Sequence, residues 1–253
     1  MRLVRLLWIP WWHAAREALE AMEIVTERSR LGPFLLLAAA IAGWVVYVPV
    51  HELLHAAGCL ACGGRVDELQ LRPMYGGTLL DGWIPFVRAG GDYAGRLTGF
   101  DTGDSDLVYL VTVAAPFTVS LLAFLLLRLA PRRGGPIWAG LGTVLLVGIL
   151  SSIPGDYYEL GSILVSDALD VSTNLPRDRL QDLRHDDILV LWREFPRRFP
   201  RFRWAWGAAV VASALVGVCL ASGTVAAAWW LAGRPPGVMT PHPERAAPAS
   251  ESG

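Results

Sequence analysis

The chain has 253 residues, 53% of them hydrophobic, and a formal net charge of −1. A mean hydropathy of +0.41, with the apolar residues in blocks, argues against an ordinary soluble domain. The near-neutral charge argues against a nucleic-acid partner, and three cysteines do not make a disulfide framework. All 22 basic residues are Arg, a bias that fits GC-rich coding and points to a bacterial source.

Residues 1–32 come first. Trp8, Trp11 and Trp12 lie among Arg2, Arg5 and Arg16, a mixture that suits a membrane interface. They predict an interfacial amphipathic helix followed by a charged connector. The apolar stretch Leu6 to Trp12 is short and broken by Pro10, unlike a cleavable signal peptide.

The first spanning helix is predicted from about Pro33 to Ala61. An apolar run from Phe34 to Val50 leads into His51-Glu52-Leu53-Leu54-His55. On a helix, positions i and i+4 share a face, so both imidazoles can bind one zinc ion, with Glu52 beside it as general base for a water. Ionisable groups at membrane depth are costly and mark functional sites. The motif therefore predicts an intramembrane zinc metalloprotease. Cys59 and Cys62 form a CxxC just downstream, but a zinc ribbon needs a second pair and only Cys219 remains. They read as small packing residues.

A loop rich in Gly and Asp follows. Arg65 to Leu71 and Thr78 to Val87 are candidate strands, and Gly90 to Asp106 reads as polar and exposed. A second span is predicted from about Leu107 to Ala130. A third runs from about Pro136 to Leu169, interrupted at Pro154-Gly155-Asp156. Such a break is tolerated only inside protein or beside a water-filled cavity. Residues 171–203 form an Arg-rich loop, read as a cytosolic segment held against anionic headgroups or as a solvated linker. The fourth span, 204–233, precedes a Pro/Ala/Ser-rich tail, 234–253, expected to be disordered. Placing the N-terminus outside puts the densest Arg cluster in the cytosol and is the preferred orientation. The predicted fold is an all-α polytopic membrane protein. It has about four transmembrane helices, a metalloprotease core over 33–170 and a short β-containing loop after the HExxH helix.

A catalytic zinc site needs a third protein ligand. His13, His185 and His242 lie outside the spans, so a carboxylate is expected. Asp156 and Glu159 lie late in span three, as HExxH lies late in span one, and the two spans run in the same direction. Asp156 follows the Pro-Gly break, which frees it to turn towards the metal, and is preferred over Glu159. Asp81 is the third candidate.

With these residues the chain resembles the site-2 protease family of intramembrane zinc metalloproteases, over about residues 35–170. His51 and His55 match the family's zinc ligands and Glu52 its catalytic base. Gly63-Gly64-Arg65-Val66, with Gly76-Gly77 downstream, resembles the glycine-punctuated strand region after the motif. Ala114-Ala115-Pro116 resembles its Ala-Gly-Pro helix element. Asp156 matches the family's aspartate by order and depth, although it reads Gly-Asp-Tyr rather than Leu-Asp-Gly. The literal Leu80-Asp81-Gly82 precedes span two, the wrong order for the family. The resemblance implies cleavage of membrane-spanning protein substrates within the lipid bilayer of a bacterial cell membrane. The connection between spans two and three is too short for a PDZ-like insertion.

Rival readings remain. A pseudoprotease or scaffold would bind client transmembrane segments without cleaving them, but the intact Glu52 argues against it. A di-iron desaturase needs more histidines than the five present. A CAAX-type zinc protease would use a Glu ligand, which Glu159 could supply.

Overall fold

A computed structural model describes residues 2–131, 135–172, 180–185, 187–199 and 203–233. The tail 234–253 and residues 173–179 and 200–202 of the Arg-rich loop lie outside the described residues. Among the described residues, four helical stretches are long and apolar enough to cross a membrane: Gly32–Ala61, Asp106–Leu129, Pro136–Ser172 and Trp204–Leu231. The chain is predominantly helical, in keeping with an all-α polytopic protein.

Helix α1 (Arg2–Arg28) precedes the spans. Its stripe Ala14, Ala18, Ala21 and Val25 is buried, while Trp8 and Trp12 face outwards. The two arms of Glu17 accept from Arg128 Nε and Nη2, each at 2.8 Å. Trp229 Nε1 donates to Glu17 at 2.9 Å, and Trp11 Nε1 donates to Ser222 Oγ at 3.0 Å. The buried ion pair and these indole donors fix α1 against the second and fourth spans.

Helix α2 (Gly32–Ala61) starts with Pro33 in its first turn, where a missing N–H costs nothing. It ends where Gly63 adopts φ +86°, a left-handed turn that favours glycine. Strand β1 (Arg65–Leu71) follows, then a short helix α3 (Gly77–Asp81), strand β2 (Val87–Ala89) and strand β3 (Gly95–Asp101). The sheet order is β2-β1-β3, with β2 parallel and β3 antiparallel to β1. Leu69, Leu71 and Val87 pack with Val48 and Ala56 of α2, and Trp44 joins the same cluster. The sheet thus lies alongside the second half of the HExxH helix rather than clear of it.

Two loop expectations are corrected. Thr78 to Val87 is not a strand: residues 77–81 are helical, and only Val87 and the next two residues pair with β1. The local reasons are the turn at Gly76, whose carbonyl accepts from both Leu79 and Leu80 N–H, and Pro85, which cannot donate to a ladder. Conversely, Gly90 to Asp106 is not simply exposed loop, because Gly95–Asp101 is β3, paired along most of β1.

The second span is three helical segments in line, α4 (Asp106–Ala114), α5 (Phe117–Ser120) and α6 (Ala123–Leu129). Ser105 Oγ caps α4 by accepting from Val108 N–H at 3.4 Å. Pro116 removes one N–H, and the chain crosses the gap with tighter i→i−3 bonds, as in Thr118 N to Ala115 O at 3.2 Å. The third span is α7 (Pro136–Ser151), a wide turn over Ile153–Tyr157, and α8 (Tyr158–Ser172). In the turn, Gly155 leaves helical geometry at φ −102°, ψ −110°, and Tyr157 N–H reaches back five residues to Ser152 O at 3.0 Å. Helix α9 (Ile188–Arg198) and the final span α10 (Arg203–Leu231) complete the chain.

Small residues bring the spans into near-backbone contact, as membrane helix packing favours. A Cβ added to Gly161 of α8 would stand 2.1 Å from Ser213 O of α10, and one on Gly217 would stand 2.5 Å from Tyr157 O. Helix α10 therefore backs directly onto the wide turn that carries Asp156. On the other side, a Cβ on Gly58 of α2 would stand 2.7 Å from Ala115 Cβ, which sets α2 against α4.

Candidate metal centre and catalytic cleft

The HExxH spacing puts His51 and His55 on the buried face of α2, each 7% exposed. The wide turn in the third span brings Asp156 to them. His51 Nε2 lies 3.0 Å from Asp156 Oδ2, and His55 Nε2 lies 3.5 Å from Asp156 Oδ1. One donor atom from each of the three residues lies within 4.8 Å of the other two. Two ligands held at about 2 Å by one tetrahedral ion are about 3.3 Å apart, so the observed spacings fit a shared ion. His51, His55 and Asp156 could hold a metal ion.

The far side of each imidazole is also engaged. His55 Nδ1 lies 2.8 Å from Thr112 O of α4, so Nδ1 carries the proton and donates to that carbonyl. This leaves the Nε2 lone pair for a metal. His51 Nδ1 lies 3.0 Å from the Tyr47 hydroxyl, one turn earlier on α2. Such outer partners fix the ring and its tautomer. Tyr47 reaches this position because residue 148 is glycine: a Cβ there would stand 2.5 Å from the Tyr47 hydroxyl. Tyr47→Phe is expected to weaken metal affinity about tenfold without lowering the melting temperature of the metal-free protein. A chelator-competition titration beside a thermal melt checks this, and unchanged affinity would remove Tyr47 from the site.

Compared with protein-family models, curated proteins and solved structures, the chain matches none.

Glu52, half-buried, opens onto a cleft of about 670 Å³ that also reaches His55 and Asp156. Strand β3, α4, the wide turn and Arg184, His185, Asp187 and Leu189 form its walls. Gly95 begins β3 directly over Glu52; a Cβ there would stand 2.4 Å from Glu52 Cγ. Glu159 lines the cleft and accepts from the Tyr109 hydroxyl, outside the three-residue donor group. Asp81 is further removed, at the end of α3, where it accepts from Ala89 N–H at 3.2 Å and pairs with Arg88. Cys59 is buried near the carbonyls of Arg65 and Asp101, at the ends of β1 and β3, and Cys62 is exposed at the end of α2; both are free thiols.

Tyr47, Thr112, Gly95 and Tyr109 do not stand out in the sequence. Only Tyr47 leaves a local trace there, being one turn before His51 on the same helical face.

Proposed function

We propose that this chain is an intramembrane zinc metalloprotease of the site-2 protease type, cleaving membrane-spanning proteins in a bacterial cell membrane. The observation that carries the reading is the convergence of His51, His55 and Asp156 beside Glu52 at the head of a cleft. The donor set, two imidazoles and one carboxylate, suits zinc with an open position. Held by His51, His55 and Asp156, zinc would supply the Lewis acidity that polarises a scissile carbonyl and acidifies a water. Glu52 is placed to take a proton from the water whose oxygen bonds to the carbonyl carbon, and to hand it to the amine nitrogen as the C–N bond breaks. Asp156 would contribute charge to the ligand set, while the hydrogen bond between His51 and the Tyr47 hydroxyl and the one that His55 donates to the Thr112 carbonyl hold the two imidazoles in orientation.

A peptide bond within a helix is shielded, so the substrate must unwind before cleavage. Strand β3 suits the extended form. It is at the edge of the sheet, with one side paired to β1, and its residues line the cleft. An edge strand offers unpaired backbone groups to an added strand. Leu69, Gln70 and Leu71 of β1 serve this role less well, because they are already paired on both sides.

The test is metal removal. Detergent-purified protein is expected to hold about one zinc per chain by elemental analysis, as one tetrahedral site requires. It should cleave a membrane-spanning reporter peptide, lose that activity to a chelator and regain it on adding zinc. Protein that neither contains nor takes up zinc would end this reading.

A further inference from the structure

We infer that α9 is a docking surface for anionic lipid headgroups and holds one wall of the cleft at the bilayer surface. One face of this helix is used inside the protein. Leu191 is fully buried, and Leu183, Phe195 and Phe199 cluster with it against Tyr158 and Trp206. The rings of Phe199 and Trp206 stack at 4.9 Å. This packing fixes which face looks outwards.

The outward face has two halves. Leu189 and Trp192, 62% and 67% exposed, form an apolar half with Pro196. Exposed Arg193 and Arg197, one turn apart, form a cationic half beside it. Arg198 is neutralised by Glu194 at 2.7 Å, whereas Arg193 and Arg197 have no ion-pair partner among the described residues. Span four begins at Trp204, itself 94% exposed, so α9 is tethered at the level where the chain enters the bilayer. An apolar strip flanked by Arg at that level matches an interfacial helix, with Trp and Leu among the acyl boundaries and guanidinium groups among anionic phosphates. A soluble acidic partner would leave Trp192 and Leu189 uncovered, whereas an anionic lipid surface satisfies both halves.

The position of the face matters because His185, Asp187 and Leu189 line the cleft that Glu52 and Asp156 share. Leu189 belongs to both surfaces. Arg184, just before them, is anchored to the ends of spans two and three through Asp106, Ser166 and Asp167. Headgroups gripping α9 thus fix the outer edge of a wall whose inner edge Arg184 already holds. The docking does not depend on the peptidase reading, and its test involves no cleavage.

The experiment is amide hydrogen exchange on the full chain in nanodiscs, of phosphatidylcholine alone or mixed with phosphatidylglycerol. Residues 188–198 are expected to exchange on the order of tenfold more slowly in the anionic discs, since each Arg near such a surface contributes a comparable factor. High salt should abolish the difference. The double variant Arg193→Gln, Arg197→Gln, checked for an unchanged melting temperature, should show no difference between discs. If that variant folds poorly, a salt titration of the wild type tests the same electrostatic contact. Equal exchange in both discs, or slowing that persists at high salt, would overturn the proposal.

Discussion

Replacing Asp156 by Ala is expected to strip the protein of bound metal while leaving the helices in place. Losing a group that only orients a ligand costs about 10–100-fold in affinity, and losing a ligand itself should cost more. The effect should be specific. Glu159→Gln leaves the three donor residues intact, because Glu159 is engaged by Tyr109 instead. Asp81→Asn disturbs only the contact with Ala89 and Arg88 at the end of α3. Elemental analysis of the wild type and the three variants decides among them. If Glu159→Gln lost the metal and Asp156→Ala kept it, the ligand set would be of the CAAX-protease kind. The wide turn would then need another purpose.

Why Asp156 and not a neighbour comes down to one irregular turn. In a continuous helix, residue 156 would present whichever face the 3.6-residue period dictated. Here Pro154 withholds an N–H and Gly155 adopts dihedrals outside the helical region. The bond from Tyr157 to Ser152 then closes a wider ring, of the kind often found at functional sites. Gly161 and Gly217 let α10 press against the turn from behind, so the break is enclosed by protein, as one at membrane depth must be.

That break is legible in the sequence because its causes are local: a Pro, a Gly and an acid in a run of apolar residues. The same holds for His51 and His55, whose shared face follows from spacing alone, for Glu52 next to His51 in the motif, and for the four apolar stretches. The sheet is harder to read. Strand β1 shows partial alternation, but β3 is held by pairing with residues about thirty positions earlier, a contact with no local signature. Thr78 to Val87 carries β-branched and aromatic residues, yet Gly76, Gly82 and Pro85 make it a helix-turn instead. Gly95 is invisible for a related reason. It matters only because β3 crosses Glu52, and nothing near residue 95 in the chain announces that crossing. The packing of α1 is hidden too, since its stripe of Ala14, Ala18 and Ala21 is too weakly apolar to stand out as a buried face.

Glu52→Gln is expected to lower cleavage of a membrane-spanning reporter by about 10²–10⁴-fold, the usual contribution of a positioned general base. Zinc content should not change. The amide keeps the size and shape of the carboxylate, so β3 can still pass over residue 52 as Gly95 permits. It cannot accept the proton from water or return it to the amine. The pairing of readouts separates chemistry from binding: Asp156→Ala should lose metal and activity together, and Glu52→Gln activity alone. Gly95→Val supplies a steric counterpart, because its side chain would push into Glu52 from the strand. It should reduce the rate with the metal still bound, showing that the base needs its place as well as its charge. Full activity in Glu52→Gln would mean that another group moves the proton, and the cleft offers Glu159 for that role. The double variant Glu52→Gln, Glu159→Gln would then be the deciding measurement. Activity surviving both changes would separate the metal-binding residues from any peptidase chemistry at this cleft.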